Sequence, residues 1–210
     1  MSSDSASSLS RMPPSQKQAL VTSWRQLKPQ AFALMRKILV ELEIVAPKVK
    51  DIFYKAALVD CFVNKEPRKG ATVDEHIRLL IQFFDDLINN IDNEQEAIAM
   101  VKRVGQHHAI LNQSCGFNAN IWEQLGEISM EKICCSDPVQ KTRESGRAWR
   151  TLIAFVTDEL RCGFDGEARV FSRKSSVDIP DEDEVERDRQ NELLIKLQEM
   201  RMEYHSTVPL

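Results

Sequence analysis

Turn-forming residues are scarce: the 210-residue chain has only seven glycines and eight prolines, roughly 7% against a usual ~12%. That shortage argues against collagen-like, low-complexity and many-stranded folds and favours long helices. Uninterrupted apolar runs stop at five residues, as at Ala31–Met35, far short of the ~18 that span a bilayer. The start of the chain lacks the apolar stretch of a secretory signal, so a cytoplasmic location without a membrane span is expected. Five cysteines (Cys61, Cys115, Cys134, Cys135 and Cys162) are an odd number and form no Cys-x-x-Cys pair, so neither a disulfide framework nor a zinc ribbon is indicated. A basic stripe is missing too, so nucleic acid is not an expected partner.

What charge there is lies unevenly. The net charge is −4, yet Asp178 to Glu203 holds ten acids and four bases, leaving the rest of the chain at +2. Acidity thus belongs to a C-terminal extension, residues 167–210, in which Leu193, Leu194, Leu197 and Met200 have the spacing of an amphipathic helix able to fold back or meet a partner. Residues 1–13, rich in serine, read as a disordered leader. Between them, 14–166 form one domain.

Within that domain every strong hydrophobic period is helical. Leu20, Val21, Trp24 and Leu27 line a helix that Pro29 closes. Phe32, Met35, Leu39, Leu42 and Ala46 mark a second, and Pro47 opens a short third that leads to Phe53. The stretch Tyr54–Thr72 reads as loop or broken helix. From Asp74, Ile77, Leu80, Ile81, Phe84, Leu87, Ile88 and Ile91 give a wide apolar stripe. A shorter helix with Ile98, Val101 and Val104 ends about His108, another holds Ile121, Trp122, Leu125, Ile128 and Ile133, and the last runs from about Val139 to Leu160, with Gly163 as its stop. No segment alternates with period two. The expected fold is all-α, six to eight helices and no sheet.

Two of the four histidines, His76 and His108, sit on helices joined by one turn, where they can oppose each other across an apolar gap. A neutral imidazole in such a place is a common transition-metal ligand. By itself such a pair is more often a partly exposed residue and a satisfied core residue.

The surrounding spacings narrow the choice. Trp24 precedes Pro47 by 23 positions and Phe53 follows it by six; His76 is followed by Leu80 and Phe84; Val104-Gly105-Gln106-His107-His108 ends the shorter helix; Trp149 follows Ala148; and Cys162-Gly163-Phe164-Asp165-Gly166-Glu167 comes after the last stripe. Together these resemble the globin family, particularly neuroglobin-like and nematode intracellular globins with terminal extensions, over about residues 14–166. Val104 stands where leucine is commoner, Leu79 where many relatives carry a basic residue, and the Tyr54–Thr72 stretch is unlike theirs.

The resemblance implies a globin fold around a haem (iron protoporphyrin IX) pocket. It makes His108 the proximal iron ligand, His76 the distal residue or sixth ligand, and Phe53 the aromatic that stacks on the porphyrin, with Leu39, Leu80, Val101, Val104 and Ile153 completing a dry apolar box. On a helix the inner nitrogen of His108 can donate to the carbonyl near Val104, which fixes the tautomer and turns the other nitrogen to the metal. His107, about 100° round the helix, should face solvent.

The implied function is reversible binding of dioxygen, nitric oxide or carbon monoxide, or redox sensing or electron transfer, with a reductase or signalling partner at the C-terminal extension. Haem enzymology (nitric oxide dioxygenation, nitrite reduction, peroxidase-like turnover) and a haem-free helical interaction module are the competing functions. The sequence has no reductase domain and no distal acid and arginine pair of peroxidase type, so enzyme activity is secondary. Cys61 and Cys115, both read as loop residues near the site, raise a redox switch.

Overall fold

The structure is a computed structural model that describes residues 9–63, 73–175 and Ile195. Among these the chain is helical throughout, with no strand: α1 (Pro14–Leu27), a 3-10 turn (Lys28–Gln30), α2 (Ala31–Val45), α3 (Lys48–Val63), α4 (Val73–Asn89), α5 (Glu94–Cys115), α6 (Asn120–Cys134), α7 (Asp137–Gln140) and α8 (Arg143–Ser175). No described helix is long and apolar enough to cross a membrane.

The helix starts follow local chemistry. Pro14 enters α1 at a position where its missing N–H costs nothing. The Asn93 side chain accepts from the Glu96 amide at the head of α5, and the Thr142 hydroxyl accepts from the Ser145 amide at the head of α8.

One apolar core runs through the helices. At one end Trp24, Phe84 and Trp149 stack with ring centres 5.9–6.0 Å apart, joining α1, α4 and α8. Their polar atoms are satisfied: the Trp149 indole donates to Ser23 Oγ at 2.9 Å, that hydroxyl donates to the Leu20 carbonyl, and the Trp24 indole donates to Asp85 at 2.6 Å. A buried indole N–H left without an acceptor would cost about 1–3 kcal/mol, so the three bonds fix where these rings sit.

Several boundaries differ from the sequence expectations. Leu9 and Met12 are buried, and the Met12 amide donates to the Leu9 carbonyl, so packing begins inside the stretch expected as a leader; residues 1–8 lie outside the described residues. Tyr54–Val63 is helical as part of α3, while 64–72 lie outside the described residues. Helix α5 continues past His108 to Cys115 because Ala109 and Leu111 keep the buried face going.

The final helix begins after the separate turn of α7 and does not stop at Gly163; it continues to Ser175. Gly163 is a crossing point instead. A Cβ on Gly163 would collide with the Lys102 backbone, and one on Gly105 would collide with the Leu160 carbonyl, so α5 and α8 meet backbone to backbone at two glycines. Of the Leu193–Met200 segment, only Ile195 is described, helical and exposed.

Candidate functional site

Helix α4 packs on α2 and α1, and α5 packs on α8 and α3. The two histidine-bearing helices thus have different supports, and their imidazoles meet between them: the His76 and His108 ring centres are 6.3 Å apart with planes at 63°. Phe53, from α3, stands edge-on to His76 at 5.2 Å. Of the residues singled out from sequence, these three are brought together.

His108 is held from behind. Its Nδ1 donates to the Val104 carbonyl at 2.8 Å, since a carbonyl oxygen only accepts; in the neutral ring Nε2 is then the unprotonated nitrogen with a free lone pair. Val101 is fully buried and Val104 partly so, on the same helix. Leu39 and Ile153 are buried in the core and Leu80 packs against it, positions that serve a ligand pocket and plain packing alike. His107 is only partly exposed, short of the solvated position expected for it.

Two site residues escaped the sequence reading. Phe117 and Trp122 face His108 at 5.8 and 5.1 Å, with each other at 4.9 Å, and Phe164 closes the cluster 5.4 Å from Phe117. What swings Phe117 into place is the end of α5: Gly116 adopts φ 75°, open to glycine at no cost. The Phe117 amide donates to Leu111 O at 3.0 Å, and Asn112 Nδ2 donates to Phe117 O at 2.7 Å. A glycine followed by an aromatic after a histidine-bearing helix was the available signal. The Trp122 indole nitrogen is buried with no acceptor among the described residues. Cys115 is buried at the end of α5; the side chain of Cys61, in α3, lies outside the described residues.

Apolar surroundings penalise the charged imidazole. Burial, with a smaller repulsion from His108, lowers the His76 pKa to about 4. Burial also lowers that of His108, against the Val104 hydrogen bond, which raises it. Both rings are neutral at pH 7, the state that binds metals.

Between pH 6.5 and 4 the unfolded chain takes up protons that the folded one refuses, so the metal-free protein is expected to lose stability on acidification, with about 3 kcal/mol from His76. Denaturant unfolding at pH 7 and 4.5 measures this, and His76→Leu, which removes its share and leaves that of His108, should reduce the difference. Equal pH sensitivity in both proteins would contradict it.

Chemically the site offers two opposed neutral imidazoles in an aromatic cup. Among the described residues no group of three or more His, Cys, Asp or Glu side chains could hold an ion, so a bare metal would lack the four ligands it usually takes from protein.

A family model described as Globin matches residues 36–160. The chain is 53% identical to Globin-like protein 9 of Caenorhabditis briggsae and 52% identical to that of Caenorhabditis elegans, in each case across 93% of this chain and 79% and 77% of the relative. Among solved structures it is similar to a crystal structure of a hexacoordinated heme protein from an anhydrobiotic tardigrade at pH 4, with a TM-score of 0.59 and 24% identity, covering 74% of this chain and 98% of the other.

Proposed function

Because the chain belongs to the globin family, we propose that it binds haem between α4 and α5, with His108 as proximal ligand and His76 as a displaceable sixth ligand, and that it works as a gas-binding or redox protein rather than as a bulk oxygen store. The observation that carries this is the 6.3 Å between the two ring centres. An imidazole nitrogen binds a transition metal at about 2.0–2.1 Å and lies about 1.2 Å from its own ring centre, so two rings on opposite sides of one ion have centres about 6.4 Å apart.

The residues fit the group in two further ways. Two imidazoles alone underfill a metal, and haem would bring its own further nitrogen donors to the ion that His108 and His76 would hold. The Trp122 indole N–H, beside His108 and without an acceptor among the described residues, is a buried donor left for a bound group to satisfy.

When bound, haem would supply a redox-active iron with one position open to exchange. The chain's own groups do the rest. Val104 keeps the His108 proton on Nδ1, so that Nε2 stays available and the ligand stays strong. Phe117 and Trp122 hold the ring's angle and keep water off the proximal side, and Phe53 does the same beside His76. An outside diatomic ligand must compete with His76, which lowers its apparent affinity by the fraction of time the position is free.

Absorption spectra of the ferric and ferrous protein test the proposal: six-coordinate spectra in both states support it, and absence of a porphyrin band overturns it. The His76→Ala protein is expected to keep haem, turn five-coordinate when ferrous, and bind carbon monoxide about 10- to 100-fold more tightly, as it should if His76 occupies the position 90–99% of the time. An unchanged affinity would remove His76 from the role. The acidic segment Asp178–Glu203, apart from Ile195, lies outside the described residues; a reductase or signalling partner there, and a cytoplasmic setting, belong to the same proposal.

A further inference from the structure

The turn of α4 that bears His76 is clipped to α2 from the outside. Asp74, two residues before His76, pairs with Arg36 of α2. Arg78, two residues after it, sets its guanidinium carbon 5.8 Å from the centre of the Phe32 ring, and that of Arg36 lies 5.9 Å from the same ring. Phe32 therefore receives two cations, and Asp74 neutralises one of them. On a helix Asp74 and Arg78, four apart, share a face, and His76 lies about 200° round from each. The clip grips the outer face of the turn whose inner face presents the imidazole.

Resting on the reading of His76 as a sixth ligand, we propose that Arg36, Phe32, Asp74 and Arg78 form a latch that positions His76 and sets how often it leaves the metal. The ring has little room to withdraw by itself, because Phe53 stands against it at 5.2 Å and the next residue, Ile77, is fully buried. Release requires the first turns of α4 to shift from α2, which is the movement the latch opposes. Arg36 and Asp74 are about half exposed, so the restraint is modest and weakens with salt.

Rapid mixing of the ferrous full-length protein with carbon monoxide decides the matter, since at saturating gas the binding rate equals the rate at which His76 lets go. Arg36→Met and Asp74→Asn are each expected to raise that rate about 3- to 10-fold, and the double variant no further than the faster single one. Phe32→Leu should act in the same direction. Raising the ionic strength should speed wild type and leave Arg36→Met unmoved, a comparison that needs no variant of marginal stability. Lys17→Met, which breaks the surface pair with Asp92, should change nothing. Rates within twofold of wild type in all latch variants, with a six-coordinate wild-type spectrum, would overturn the latch and leave the haem proposal standing. A five-coordinate ferrous wild type would overturn the latch together with the sixth-ligand role of His76, and leave haem binding through His108 standing.

Discussion

Replacing His108 by alanine is expected to give a protein that purifies with little or no porphyrin. Loss of an outer partner of a metal-bound histidine already costs roughly 10- to 100-fold in affinity, and here the ligand itself goes. Of the facing pair only His76 would remain, on a helix that packs on α2 and α1. The aromatic cup of Phe117 and Trp122, built to hold an imidazole, would hold nothing.

The measurement is the porphyrin absorption per protein after saturation with haem, with circular dichroism to show that the helices survive. His108→Gly gives the sharper version, because it leaves room for free imidazole, and added imidazole should restore much of the band. Equal haem retention and an unchanged spectrum in both variants would show that another residue is the proximal ligand.

The second large effect is structural. Gly105→Ala and Gly163→Ala are each expected to destabilise the protein by about 3 kcal/mol, since overpacking a tight site typically costs about 1–3 kcal/mol and here the obstacle is backbone, not a flexible side chain. For a chain of this size that corresponds to a fall in Tm of about 10 °C. The sign is informative, because alanine in a helix interior otherwise gains roughly 0.5–1 kcal/mol over glycine.

Gly166, on the same helix with nothing near its missing Cβ, provides the control: Gly166→Ala should raise Tm slightly. Thermal melts of the three variants side by side read the result. Stabilisation by all three would mean that α5 and α8 do not touch at the glycines. Gly105→Ala should also loosen haem, since Gly105 lies one helical turn before His108.

The expectation of facing imidazoles could be drawn from the sequence because it rested on patterns that survive as one-dimensional spacing. The apolar stripe of α4 fixes which side of that helix is buried, and His76 borders the stripe. The four-residue step from Val104 to His108 is one helical turn, so the Nδ1 to carbonyl bond needed no tertiary knowledge.

What could not be read was made by contacts between distant residues. Phe117 and Trp122 reach His108 only because Gly116 reverses the chain, and a tryptophan inside an apolar run gives no sign of which ring it will meet. Gly163 illustrates the same limit. A helix-stopping glycine and a helix-crossing glycine are identical in sequence, and only the arrival of Lys102 across the gap distinguishes them. Arg36, Asp74 and Arg78 look like ordinary solvated charges until α2 and α4 are placed together.

The unbroken run of α8 past the crossing has a mechanical consequence. Its 33 residues make a rod about 50 Å long at 1.5 Å per residue, with the last twelve, about 18 Å, following Gly163 in the same unbroken helix and still packed on the core through Phe164 and Ala168. A force applied near Ser175 meets no break in the helix before the glycine contacts, so it is expected to reach the α5 backbone at Lys102 and at Gly105, the latter one turn from His108.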